Sequence, residues 1–141
     1  MSSNTIKKEG GFTLLELLIV VVIIGILAVL IIPNLVSGPQ RARDSQRKSD
    51  LRNMKTALET YYNDNNSYPN TGGACVPNAC LQTPLGAGTT PYMKTVPNDP
   101  RSGQNYSYNP NGTYSSYSLT ATLENTNDPD ASGGTYTVQS A

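Results

Sequence analysis

Gly10-Gly11-Phe12-Thr13-Leu14-Leu15-Glu16 opens an apolar run that extends to Ile32, and the reading of that stretch decides the fold. From Phe12 to Ile32 the one ionisable side chain is Glu16. A helix needs roughly 20 apolar residues to cross about 30 Å of hydrocarbon, so the run is long enough to span a bilayer. A carboxylate on such a helix costs about 2.5–3.5 kcal/mol at the bilayer centre and less toward the interface. Something must offset that cost, which makes Glu16 the first functional candidate. A secretory signal peptide fits poorly, because its apolar region is shorter and its small-residue cleavage site follows that region. Here the glycine pair precedes it. A plain single-span anchor accommodates the length but has no use for Glu16.

Outward from this run, residues Phe12 to Asn63 read as one long, interrupted helix of roughly 75 Å at 1.5 Å per residue. The first part is apolar all round, as a lipid-buried or helix-packed segment must be. Gly25 weakens it by roughly 1 kcal/mol relative to alanine. Pro33 removes a backbone hydrogen bond and predicts a kink, and Gly38-Pro39 predicts a break in helix continuity between Ser37 and Gln40. From Arg41 the pattern becomes amphipathic. Leu51, Met54, Leu58 and Tyr61 fall on one face, suited to covering a small globular domain. The other face carries Arg47, Lys48, Arg52 and Lys55, interspersed with Asp44, Asp50 and Glu59. Asp44 and Lys48 have the four-residue spacing of a helical ion pair, worth a few tenths of a kcal/mol. Arg41–Lys55 carries six basic and two acidic residues, which reads first as a solvated face. Lipid headgroups, or acidic patches on neighbouring subunits, are the competing explanations.

Asn63-Asp64-Asn65-Asn66-Ser67-Tyr68-Pro69 stops the helix with turn formers and a proline. A loop of about twenty-five residues follows, and so long a loop in a small domain is usually functional or tied down. It contains Cys75 and Cys80, which read as a short loop disulfide of an extracytoplasmic domain. A zinc half-site is the competitor, although no other Cys or His exists to complete it. Beyond the loop, Gln104–Asn109 and Tyr114–Leu123 alternate as strands, with Asn109-Pro110-Asn111-Gly112 as the hairpin turn between them. Thr135-Tyr136-Thr137-Val138 adds a last short strand. The predicted fold class is α+β: a long N-terminal helix, transmembrane then amphipathic, packed by its C-terminal half on a small antiparallel sheet. The divisions are a membrane or filament-core helix over 12–37, an amphipathic helix over 38–63 and a β-rich head over 64–141 with the Cys-containing loop.

The composition narrows the function. The 141 residues carry ten basic and ten acidic side chains, so no nucleic-acid footprint emerges. With no histidine and no Gly-rich phosphate loop, no nucleophile–base pair stands out, and the chain reads as no enzyme.

Gly11-Phe12-Thr13-Leu14-Leu15-Glu16 resembles the processing site of type IV pilins and their pseudopilin relatives. The resemblance covers about the first third of the chain. It implies that the leader 1–11 is cut away between Gly11 and Phe12 by a prepilin peptidase and N-methyltransferase, which methylates the new N-terminus at Phe12. It implies a role for Glu16 in assembly, and a helix stretch bracketed by Gly25 and Pro33 that extends on entry into a filament. Losing Lys7, Lys8 and Glu9 with the leader moves the side-chain balance from zero to −1. The positive charges after the span outnumber those before it and by themselves would place the C-terminal part in the cytoplasm. The resemblance, the cysteine pair and the Tyr-rich tail point to the opposite orientation, with the N-terminus cytoplasmic in the inner membrane and the filament outside.

The stretches Pro97-Asn98-Asp99-Pro100 and Asn105-Tyr106-Ser107-Tyr108 resemble the segment where major secretion pseudopilins bind calcium, an ordinary Asp-Pro turn being the competing reading. The first offers Asp99, with Asp128 and Asp130 on another loop, as weak candidate ligands; otherwise no cofactor is implied. The implied partners are copies of the same chain in a helical filament, the peptidase, an inner-membrane assembly platform and, before assembly, lipid. The leading expectation is a structural subunit of a type IV pilus, serving motility, adhesion or DNA uptake. The second is a pseudopilin of a type II secretion or DNA-uptake system, and the third a membrane-anchored binding domain that never polymerises.

Overall fold

The computed structural model describes residues 11–87 and 89–141, and the side chains of all of these except 31–36. The expected leader therefore lies outside the described residues, apart from Gly11. The chain divides into two compact units, one reaching to Ser37 and one from Gly38 to Ala141.

Helix α1 runs Leu14–Asn65. It continues through Gly38 and Pro39, where the sequence predicted a break. Gly38 has open space where a Cβ would sit, and a helical glycine costs only about 1 kcal/mol relative to alanine. At its C-terminus the helix ends two residues later than the composition suggested. Asn66 adopts φ 53° and donates its N–H to the Tyr62 carbonyl at 2.7 Å, the left-handed cap for which Asn is the usual alternative to Gly.

In the second unit the expected twenty-five-residue loop contains two short helices, α2 (Pro77–Cys80) and α3 (Gln82–Gly86). Pro77 fits the first turn of α2, where its missing N–H costs nothing. Leu81 and Leu85, four residues apart, both become fully buried. The Cys75–Cys80 disulfide closes across α2, and Cys75 exchanges two 2.8 Å backbone hydrogen bonds with Tyr108.

Among the described residues three strands form one antiparallel sheet in the order β1 (Ser107–Pro110), β2 (Tyr117–Thr122), β3 (Thr135–Gln139). The register sets Tyr108 opposite Leu119 and Leu119 opposite Val138. The hairpin turn lies later than Asn109–Gly112. Pro110 closes β1 opposite Tyr117, and Asn111 caps the connection by accepting N–H bonds from Ser115 and Ser116 on its side-chain oxygen. Tyr108 spends its own backbone groups on Cys75, so Pro110, two residues on, also faces away from β2. Its absent N–H thus removes no ladder bond.

The core lies between α1 and the sheet. Leu51, Met54 and Leu58 are fully buried with Leu81, Leu85, Tyr108 and Leu119. Tyr61 is only partly buried at the edge of this cluster and meets Tyr92 edge-on at 5.3 Å between ring centroids. On β2 Tyr117, Leu119 and Ala121 point inward, the alternation expected of a half-buried strand.

Candidate functional site

Two regions carry the functional chemistry. At the start of α1, Gly11, Phe12 and Thr13 are exposed and outside the helix, which begins at Leu14. Thr13 donates both its backbone N–H and its hydroxyl to Glu16 Oε2 at 3.0 Å, and the Glu16 N–H donates to Thr13 Oγ1 at 3.2 Å. This reciprocal arrangement is a capping box: each side chain satisfies a backbone N–H that the first helical turn leaves without a partner. It fixes the helix start just beyond the Gly11–Phe12 bond. Every large apolar side chain from Leu14 to Leu30 is exposed, Leu14 by 92% and Ile19 by 48%. A continuous apolar surface of this kind marks a lipid or protein contact. Gly25 has open space around it, while the side chain of Pro33 lies outside the described residues. Among the described residues no helix is long and apolar enough to cross a membrane.

The second region is an ionic cluster between α1 and the loops flanking the sheet. Arg47 and Asp44, expected on the solvated face, are the buried charged residues among those described. The reason is geometric: Arg47 lies four residues before Leu51, on the same face as Leu51, Met54 and Leu58. Its guanidinium grips Asp99 with Nε and Nη2 at 2.8 Å each, and donates to Asp44 at 2.7 Å, Glu124 at 3.0 Å and Gln104 at 2.9 Å. Arg43 adds a fork to Glu124 at 2.6 and 2.7 Å. Asp44 accepts the N–H groups of Glu124 and Asn125 at 2.9 Å each. The expected Asp44–Lys48 pair does not form. Asp44 turns to Arg47, and Lys48 binds Asp128 and Asp130 while lying 5.7 Å from the Tyr136 ring centroid. Among the described residues no buried side-chain nitrogen or oxygen lacks a hydrogen-bond partner.

Protonation follows these contacts. The Arg43 fork, helped by Arg47 against partial burial, holds Glu124 down to about 2. Burial alone would raise Asp99, but the Arg47 guanidinium and the Arg101 N–H outweigh it and leave Asp99 below the usual carboxylate range. The Lys48 ammonium and the Asp130 N–H lower Asp128. Asp50 goes the other way: burial raises it, although the Tyr106 hydroxyl donates to it at 2.7 Å.

Asp99, Asp128 and Asp130, offered by the sequence as calcium ligands, are not brought together as one ligand set. Asp99 belongs to Arg47, and the other two belong to Lys48. Among the described residues no three His, Cys, Asp or Glu side chains are arranged to hold a metal ion. Sequence reasoning missed Arg43, Asp44, Arg47, Gln104 and Glu124 as one cluster. The available signal was the 47, 51, 54, 58 spacing, which places a cation on the apolar face.

The profile of the "Type II secretion system (T2SS), protein G" family matches residues 34–139, and that of the "Prokaryotic N-terminal methylation motif" matches residues 6–32. The chain belongs to the protein G family. Its relatives include the type II secretion system core protein G of Pseudomonas aeruginosa, 36% identical over 92% of this chain and 96% of the relative. The Escherichia coli core protein G is 38% identical over 79% of each chain. That of Vibrio cholerae is 37% identical over 72% of this chain and 71% of its own. No solved structure matches the chain. The resemblance of Gly11–Glu16 to pilin-type processing sites thus extends to a family assignment. Between the two filament expectations, the match over the head favours the secretion pseudopilin above the type IV pilus.

Proposed function

We propose that this chain is a structural pseudopilin subunit of a type II secretion system. Its precursor is cut between Gly11 and Phe12, methylated at Phe12, held in the cytoplasmic membrane by the apolar part of α1 with the head outside, and polymerised through that helix into a short filament. The observation that carries this reading is the protein G match across 34–139. The N-terminal motif is common to pilins and pseudopilins, whereas the head is what distinguishes them. The capping box supports processing at this bond, because it keeps Gly11–Phe12 out of the helix, where a peptidase can reach it.

Glu16 then serves assembly. Cleavage leaves an ammonium on Phe12, and both Thr13 bonds fall on Oε2, so Oε1 accepts none within the described residues. An ammonium and a carboxylate in apolar surroundings are each costly alone and attract strongly together. A subunit entering the filament pairs its Phe12 amine with Glu16 of a neighbour, and this sets the axial register between helices. Packing among the exposed Leu, Ile and Val faces supplies the rest, with Gly25 and Pro33 bracketing the stretch that extends. The partners are further copies of the chain, the peptidase and methyltransferase, and the membrane assembly platform. The chain is a substrate of processing enzymes and not an enzyme itself.

The test is to shear cells, then take the intact mass of the protein in the sheared and membrane fractions. Chain beginning at Phe12 with one added methyl, confined to membranes, is expected. Abundant processed chain in sheared surface fibres would restore the pilus reading, and chain still carrying Met1–Gly11 would overturn both.

A further inference from the structure

The resemblance assigns calcium to the Asp99 loop, and the chemistry around Asp99, Asp128 and Asp130 argues against that ion. Calcium takes six to eight oxygen ligands at roughly 2.3–2.6 Å, anionic ones foremost. Both Asp99 oxygens accept from the Arg47 fork, and Oδ1 also accepts the Arg101 N–H. Glu124 gives both oxygens to Arg43 and one of them also to Arg47, while Asp44 gives both to backbone N–H groups and one of them also to Arg47. Three guanidiniums, Arg43, Arg47 and Arg101, face three carboxylates, Asp44, Asp99 and Glu124, and the charges cancel. A dication placed there would meet N–H donors where it needs oxygen, and would add charge that nothing balances. Asp128 and Asp130 converge instead on the Lys48 ammonium, which occupies the position between the two carboxylates where a bridging cation would sit.

We infer that Arg47 and Lys48, consecutive on α1, replace a loop-bound metal in this chain, so that the head holds both loops without a divalent cation. The guanidinium, a rigid five-donor fork, ties the Asp99 loop to Glu124 at the end of the sheet. The ammonium, about 100° further round the helix, ties the turn at 125–131, whose own backbone bonds are Asp128 N–H to the Asn125 carbonyl and Ala131 N–H to the Asp128 carbonyl. Each fastening joins residues 52 to 82 positions apart, the long-range closure a metal would otherwise provide.

The experiment is hydrogen exchange on the mature full-length protein in detergent micelles, with thermal unfolding in parallel, in EGTA and in millimolar calcium chloride. Wild type is expected to show the same exchange at 97–104 and 123–131, and the same unfolding midpoint, in both buffers. Lys48→Met keeps the stem and removes the ammonium; it is expected to speed exchange at 125–131 several-fold in EGTA while the Leu51–Leu58 face keeps its protection. Slower exchange or a higher midpoint of wild type in calcium would overturn the inference. So would a Lys48→Met protein whose 125–131 segment exchanges as slowly as wild type.

Discussion

Arg47→Met removes the guanidinium while leaving a side chain able to fill part of its volume. Arg47 has no solvent-accessible side-chain surface, and its bonds reach Asp44, Asp99, Glu124 and Gln104. Arg43 still serves Glu124 in the variant, and two backbone N–H groups still serve Asp44. Asp99, whose side chain is 1% exposed, keeps only the Arg101 N–H. Removing one partner of a buried ion pair costs about 3–5 kcal/mol, because the remaining charge stays desolvated and uncompensated. Stability of a single domain is about 5–15 kcal/mol, so the loss is a large fraction of the total. At about 4 °C or more per kcal/mol for a head of this size, the midpoint falls by at least ~12 °C. Near-ultraviolet circular dichroism reads it directly, since Tyr106, Tyr108 and Tyr117 are buried in the same core. Arg52→Ala is the control: Arg52 is exposed and its Nε donates to the Tyr136 hydroxyl at 3.3 Å, so its removal shifts the midpoint little. A midpoint for Arg47→Met as close to wild type as that of Arg52→Ala would refute the argument that this cation holds the head together.

Acid should weaken the head in a defined window. Glu124, Asp99 and Asp128 are lowered in the folded state, so their contribution is full above the ordinary carboxylate values and is lost as pH falls through the folded ones, for Glu124 from 4.5 toward about 2. Asp50, which is raised, works in the opposite sense, and a midpoint that does not fall over this range would contradict the direction of the three lowered carboxylates. Replacing Cys75 and Cys80 together by serine removes a closure of five positions, worth about 2 kcal/mol on the chain-entropy estimate. Exchange should quicken around α2 and at the Cys75–Tyr108 bridge, while Leu51–Leu58 in α1 keeps its order of protection. Faster exchange throughout the head would mean that the bridge does more than local work.

What was legible in the sequence was whatever periodicity encodes. The apolar run from Phe12, the 51, 54, 58 face and the Tyr117, Leu119, Ala121 alternation each state which side of an element is dry, and those sides meet in the core. The spacing of Arg47 from Leu51 sets it on the apolar face, but a cation there reads as misfitting without its partners: Asp99 and Glu124 stand 52 and 77 positions away, and only the fold brings them under the helix. Without them a cation next to Lys48 reads as surface. Helices α2 and α3 were hidden because a Pro/Gly/Asn-rich composition outweighs two leucines four residues apart. The hairpin turn was placed early because Pro110 signals a turn locally, while the outward-facing edge of β1 tolerates it. At the N-terminus Thr13 and Glu16 had capping-box spacing throughout, but the apolar run drew the reading of Glu16 toward assembly alone.

The fastenings of Arg47 and Lys48 also order events in time. A chain released from its N-terminus presents α1 long before residues 124–130 exist to receive those two cations. Leu51, Met54 and Leu58 are likewise without β2 at that stage. Closing a loop of some eighty residues is entropically costly and contributes late to folding. The head therefore cannot close until nearly the whole chain has emerged. An interrupted chain would keep its cationic side chains in water and its apolar face open to the first surface it met.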